Sequence, residues 1–356
     1  MGDVAGLAST VEADFAVRFP DMNKARRRGV AQVVAAMLTA RTANMVELGN
    51  VLPRAIASWE KRYQFVERIV SHERIGCDAM MASYAGEVAR QLTAKGGTLI
   101  VMMDQSHIND LNEVLMVSLS FGGRALPVAW RVKQTQGAIG FGVQKPLLDA
   151  VKAMLPQGVP VLLCADRLYG TPALIDWCVA AGWDYRIRLK SNLIVNHQGG
   201  EMTSGEVLSL APEGLVAAKL NGASSATNIF ALHEPGHAEP WIIAMAAKPG
   251  RTSCLDYGLR WGIEAMFSDY KSLRLRLDAK PDRKAGEAGK TDSDHGDSHV
   301  LGGLLRHRRS GRERARPPLK KTARSLCSYF KKGLRFLRRY FAMDIAIPKL
   351  WSRWNL

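Results

Sequence analysis

Two aspartates in this chain follow short apolar runs. Asp104 comes directly after Thr98–Met103, and Asp166 directly after Val159–Ala165. Runs of this length read as buried strands, and glycines stand just before both, Gly96-Gly97 and Gly158. A carboxylate left unpaired at the end of a buried strand is costly. One arrangement that accounts for both residues is a strand-end site. If the two strands are neighbours the carboxylates converge, and a hard divalent cation, Mg²⁺ or Mn²⁺, would relieve their repulsion. Two separate loop aspartates capping turns account for them as well.

A third carboxylate stands in a different setting, in the run Tyr257-x2-Arg260-x3-Glu264-x6-Lys271. On a continuous helix over Cys254–Ser272, steps of three, four and seven keep all four residues on one face. Leu255, Leu259, Ile263, Met266 and Phe267 would form its apolar side. The charged face offers one carboxylate to a metal, with two cations and a phenol for phosphate groups. An ordinary charged helix face with an Arg260–Glu264 ion pair would have the same spacing.

These residues need elements to position them. From about Val11 to Leu92 apolar residues recur at helical intervals, as in Gln32–Leu38, Met45–Leu52 and Tyr63–Ile69. Lys24, Arg26, Arg27 and Arg28, then Arg54, Lys61, Arg62 and Arg68, make region 1–92 either a helical DNA-binding region or a bundle with a solvated basic face. From Thr98 the period changes to that of strands. Glu113–Phe121 and Ala125–Lys133 flank Gly122-Gly123, a hairpin signal. Val143–Leu155 reads as a helix, and Pro172–Ala181 as another, with Thr171 as its cap and proline in its first turn. Trp183–Leu189 and Trp241–Ala247 read as further strands. Residues 93–272 therefore predict an α/β domain, a mixed sheet flanked by helices. Within it, 191–240 is broken by Gly, Ser, Asn and Pro and reads as a small β-rich insertion.

Composition bounds the partners. The chain has 356 residues, 47% hydrophobic and 23% charged, with a net charge of +16. Such a surplus suits a polyanion, nucleic acid first. The five cysteines are scattered without a CxxC pair, which argues against a zinc site or a disulfide framework and for a reducing cytoplasm. Met1–Pro20 lacks the basic start and apolar core of a signal peptide, and no apolar run has the length to span a bilayer, so no membrane partner is expected.

Taken together, Asp104, the Asp166-Arg-x-Tyr-Gly run and the Tyr-Arg-Glu-Lys helix resemble insertion-sequence transposases of the DDE class. Within that class they resemble the subgroup defined by the Tyr-Arg-Glu-Lys signature. The resemblance covers about Arg90 to Lys271. It implies a ribonuclease-H-like fold with a β-rich insertion between the second Asp and the Glu. It implies Asp104, Asp166 and Glu264 as catalytic ligands of two divalent ions, which would activate water or a DNA 3′-hydroxyl for in-line displacement at phosphorus. Tyr257, Arg260 and Lys271 would contact phosphates of the transposon end. Arg188 and Lys190, at the end of a strand beside the second Asp, are further candidate DNA contacts. Trp261 is expected to pack, and His107 to be a polar loop residue. The partner would be double-stranded DNA, bound by a homodimer, since two ends must be brought together. A catalytically impaired DNA-binding relic and another ribonuclease-H-like nuclease are the alternatives.

Beyond Ser272 the texture departs from that class. Between Ala279 and His299 there is no Val, Ile, Leu, Met, Phe, Tyr or Trp, a composition that predicts disorder. Ser272–Arg339 holds 20 Lys and Arg against 7 Asp and Glu, most of the net charge. Region 273–318 reads as a disordered basic segment of the kind a pair of compensating frameshifts would leave. Region 319–356 reads as a basic tail with a helix at Ser325–Phe341.

Overall fold

A computed structural model describes residues 3–135, 137–234 and 238–272. The expectations for 273–318 and 319–356 lie outside the described residues. The described residues divide into two compact units, one of residues 3–83 and 266–272, the other of Tyr84–Ala265.

The first unit opens with four helices: α1 (Val4–Arg18), α2 (Lys24–Ala40), α3 (Met45–Val51) and α4 (Trp59–Val70). Asp3, Asn23 and Asn44 cap the first three by accepting backbone N–H groups, as short polar residues at helix starts do. Val30, Val33, Val34 and Leu38 of α2 and Phe65, Val66 and Ile69 of α4 are buried. Gly29 lets the two helices approach, because a Cβ there would lie 2.6 Å from Ile69 Cδ1. The expected basic residues line the solvent side. Lys24, Arg28, Arg54, Lys61 and Arg68 are exposed, with the Arg54 guanidinium 4.4 Å above the Phe65 ring. Helix α5 (Cys77–Thr93) carries the chain into the second unit.

The second unit is built on one ten-stranded mixed sheet. Its elements are β1 (Leu99–Asn109), β2 (Asn112–Phe121), β3 (Arg124–Gln134), α6 (Phe141–Met154), β4 (Val161–Ala165), α7 (Pro172–Ala181) and β5 (Asp184–Arg188). Then come β6 (Ile194–His197), β7 (Gly200–Thr203), α8 (Val207–Leu210), β8 (Leu215–Leu220), β9 (Thr227–Leu232), β10 (Trp241–Met245), α9 (Arg251–Leu255) and α10 (Trp261–Ser272). The strand order is β3-β2-β1-β4-β5-β10-β9-β8-β6-β7. This mixed sheet with flanking helices bears out the α/β expectation and is consistent with a ribonuclease-H-like fold. The hairpin at Gly122-Gly123 forms as expected, both glycines having positive φ. Pro127 interrupts β3 where it costs least, on the edge strand. Helix α7 starts on its Thr171 cap, which accepts the Leu174 N–H.

Two expectations need correction. Strand β1 does not end at Met103 but runs on to Asn109, because it pairs with β2 from Val101 to Asn109. Asp104 is therefore a mid-strand residue, opposite Met116, and His107 lies in the strand opposite Glu113. The β-rich stretch 191–240 joins the main sheet. Strand β9 pairs with β10 and β8 with β9, so 191–240 extends the main sheet outward. Finally, Cys254–Ser272 is not one helix. A 3-10 turn at Asp256–Arg260 separates α9 from α10. The change of period turns Leu255 and Leu259 outward, to 41% and 43% exposure, while Ile263 stays buried.

Candidate active site

The sheet register brings the two aspartates together. Strands β1 and β4 run parallel, and their last register pair is Met103 with Ala165. The next residue on each chain is Asp104 and Asp166. Asp166 also caps the short 3-10 turn Arg167–Tyr169, accepting the Arg167 N–H at 2.6 Å. The rest of the Asp-Arg-x-Tyr-Gly run has a packing cause. Tyr169 is fully buried, and a Cβ at Gly170 would stand 2.5 Å from the Arg188 carbonyl of β5. The turn thus presses against the neighbouring strand and holds Asp166 at the strand end.

The third carboxylate arrives from the segment laid across this sheet face. Gly262 allows the close approach, since a Cβ there would meet Arg124, Ala125 and Met102 atoms at 3.3–3.4 Å. Tyr257 and Arg260 are one 3-10 turn apart, so their side chains project on the same side. The Tyr257 hydroxyl donates to Asp166 Oδ1 at 3.2 Å. Arg260 donates from Nη1 to Asp104 Oδ2 at 2.7 Å and from Nη2 to Glu264 Oε1. Arg260 is 6% exposed, and its Nε–H has no hydrogen-bond partner in the described structure. Trp241 packs edge-on against Tyr257, with ring centroids 5.4 Å apart, and holds that ring in place.

Burial pushes the Asp104 carboxyl up to about 6, because a charge there is poorly solvated. The Arg260 guanidinium pulls it down, and the charges of Asp166 and Glu264 push it up again. Burial also raises the Tyr257 phenol far above neutral pH, so it is a hydrogen-bond donor. A divalent ion is a test of this donor set. All three side chains offer hard carboxylate oxygens of the kind Mg²⁺ and Mn²⁺ take. Among the described residues, however, no three such ligands are drawn into one coordination sphere. Instead the carboxylates gather around the cationic Arg260.

The other expected residues lie at different distances from this centre. Arg188 ends β5 and donates to Glu239 Oε2 and to the Pro240 carbonyl, both at 3.3 Å. Arg167 reaches the same Glu239 oxygen at 2.8 Å. Lys190 is exposed just past β5. Lys271 is exposed in the last turn of α10, in the stretch of that helix that belongs to the other compact unit. Trp261 packs edge-on against Trp241 but stays 47% exposed. His107 is a strand residue paired through Nδ1 with Glu113 at 2.5 Å, Glu113 being buried.

Two residues of the site escaped the sequence reading. Gln105 follows Asp104 and is held from three sides. Its Oε1 accepts from the Ile139 N–H and from the Tyr169 hydroxyl, and its Nε2 donates to the Gly137 carbonyl. Arg186 is buried in the middle of β5. Its signal was present, a charged residue between apolar ones in a short buried strand, which is rare unless the charge is paired.

The stretch from residue 142 to residue 285 matches the transposase DDE domain family. Over this stretch the chain is similar to transposases of the DDE class. The matched stretch includes Asp166, Glu264, Tyr257, Arg260 and Lys271, while Asp104 precedes it. Transposases of this family act in DNA transposition and recombination and generally use divalent metals. No curated protein matches the chain. No described helix is long and apolar enough to cross a membrane.

Proposed function

We propose that this chain is a transposase that cleaves and rejoins the DNA ends of an insertion sequence, with Asp104, Asp166 and Glu264 as its catalytic carboxylates. The observation that carries the reading is the pairing of those carboxylates with the signature residues. Asp104 and Asp166 follow the last register pair of two parallel strands, and Arg260 and Tyr257 tie them to the segment that bears Glu264. The same carboxylates would hold two Mg²⁺ or Mn²⁺ ions. When bound, such ions supply charge neutralisation at phosphorus and acidify the attacking water or 3′-hydroxyl.

The remaining steps fall to the chain's own groups. The Tyr257 phenol keeps its proton and donates to a phosphate oxygen of the transposon end. Arg260, charged at every working pH, offers two parallel N–H groups to a phosphate once its carboxylates are engaged elsewhere. Lys271, Arg188 and Lys190 hold the flanking backbone as point charges. The exposed lysines and arginines of the N-terminal helices add sequence-independent affinity for double-stranded DNA. A homodimer on DNA, in the cytoplasm, completes the reading, because two ends must be brought together.

The test uses the full chain, duplexes ending in the element's own termini, and Mg²⁺ or Mn²⁺. Joined product is expected with the wild type and absent with Asp104→Ala or with a chelator. Equal product from wild type and Asp104→Ala would refute the reading. Hydrolysis without joining would mark the protein as a nuclease instead.

A further inference from the structure

We infer that Arg186 is a positioning residue for the reaction, acting as a clamp that seats the segment carrying Tyr257 and Arg260. The inference rests on the proposed roles of Tyr257 and Arg260.

Arg186 lies at the centre of the sheet. In the register it is level with Cys164 of β4 on one side and Met245 of β10 on the other. A guanidinium at such a position is tolerated only if its donors are largely met, and here four of its five are. Nε donates to the Ser253 carbonyl at 2.7 Å. Nη1 donates to Asp184 Oδ1 and to the Tyr185 carbonyl, both at 2.8 Å. Nη2 donates to Asp256 Oδ2 at 3.1 Å. Two of these four partners, Ser253 and Asp256, belong to the segment that crosses the sheet. The neighbouring Cys164 thiol adds a weak contact to the Asp256 carbonyl, at 3.9 Å.

Everything after Asp256 hangs from this attachment. Tyr257 is the next residue and Arg260 is one 3-10 turn further on. Cys254 and Tyr257 also pack in a buried cluster with Trp241, Ile243 and Met245, but α9 has only five residues and begins at Gly250, where no side chain caps it. A displacement of Asp256 therefore passes directly to the two side chains that touch Asp166 and Asp104. Misplacing catalytic groups by about 1 Å can cost roughly 100-fold in rate.

The experiment compares Asp256→Ala and Asp256→Asn in the full chain, since replacing buried Arg186 itself risks the fold. Asp256→Ala should lower strand-transfer turnover about 10-fold or more, a fraction of that full misplacement cost. Its KM for terminal DNA should stay within about 2-fold, because Lys271, Arg188, Lys190 and the basic N-terminal helices supply most of the contacts to the DNA backbone. Its melting temperature should fall by no more than a few degrees, as for a partly exposed ion pair. Asp256→Asn keeps an oxygen acceptor for Nη2 and should recover most of the turnover. Wild-type turnover in Asp256→Ala would overturn the clamp. So would a loss that only tracks the fraction of folded protein and is not relieved by Asp256→Asn. Asp104→Ala serves as the control. If it is as active as wild type, the reading of the centre has failed; if it is inactive while Asp256→Ala is unaffected, only the clamp has failed.

Discussion

Two buried arginines meet acidic partners on the sheet, and they are wired differently. Around Arg186, four protein acceptors take four of its five N–H donors, which leaves one Nη2–H. Around Arg260, two carboxylates take two bonds, the Nε–H is unmet, and one partner, Glu264, is half exposed. A nearly saturated buried network rigidifies, whereas a partly satisfied one has donors to exchange. The difference separates a structural device from a chemical one within the same unit, and each can be broken separately.

The largest effect should come from Arg186→Met. It removes the charge and orphans the Tyr185 and Ser253 carbonyls, so the cost should reach about 3–5 kcal/mol, the range for removing one partner of a buried ion pair. Urea denaturation would measure it, and a loss under about 1 kcal/mol would contradict the account of a nearly saturated network. Next comes Arg260→Gln. Its stability cost should be smaller, because Asp104 can take up a proton and Glu264 already meets solvent. Its turnover should fall by about 100-fold, equivalent to roughly 2.7 kcal/mol of lost transition-state stabilisation. Unchanged turnover would reverse the contrast between the two arginines.

The two networks were not equally visible in the sequence. Asp104, Asp166, Arg260 and Glu264 announced themselves because charge stood at the ends of apolar runs and at matching steps. Arg186 did not, because its partners come from residues two positions back in the same strand and some seventy positions ahead. Spacing conveys nothing about pairs that only the sheet brings together. The strands at residues 99–103 and 161–165, the Gly122-Gly123 hairpin and helix α7 followed from local patterns, and so they were readable. The full length of β1 was not, since Gln105, Ser106 and His107 are polar and are held in the strand by β2. The 3-10 turn was hidden for a related reason. The clamp and the ring packing of Trp241 on Tyr257 override a helical periodicity that the residues alone would satisfy.

Between the two arginines stands the Asp166 turn, and Gly170 offers a way to sharpen the comparison. Alanine there would place its Cβ 2.5 Å from the Arg188 carbonyl, a backbone atom that cannot swing aside. Relief requires the turn or the strand to shift, at about 1–3 kcal/mol, as in overpacked cores. The melting temperature should fall accordingly. Turnover should fall further than the loss of folded protein explains, because Asp166 moves with the turn. A Gly170→Ala variant with wild-type stability would show that the close approach is dispensable.

The smallest effect should come from Tyr169→Phe. The ring is fully buried and stays, so no cavity opens. Only the hydroxyl is lost, with its 3.3 Å hydrogen bond to Gln105 Oε1. That oxygen keeps the Ile139 N–H at 3.0 Å, so it is not orphaned. The cost should therefore sit at the low end for a neutral hydrogen bond, about 0.5–1 kcal/mol. Any change in turnover should be small as well, because Gln105 remains held by Gly137 and Ile139. A turnover loss above about 10-fold in this variant would mean that Tyr169 orients Asp104 through Gln105, and the network would then extend from Arg260 to this buried phenol.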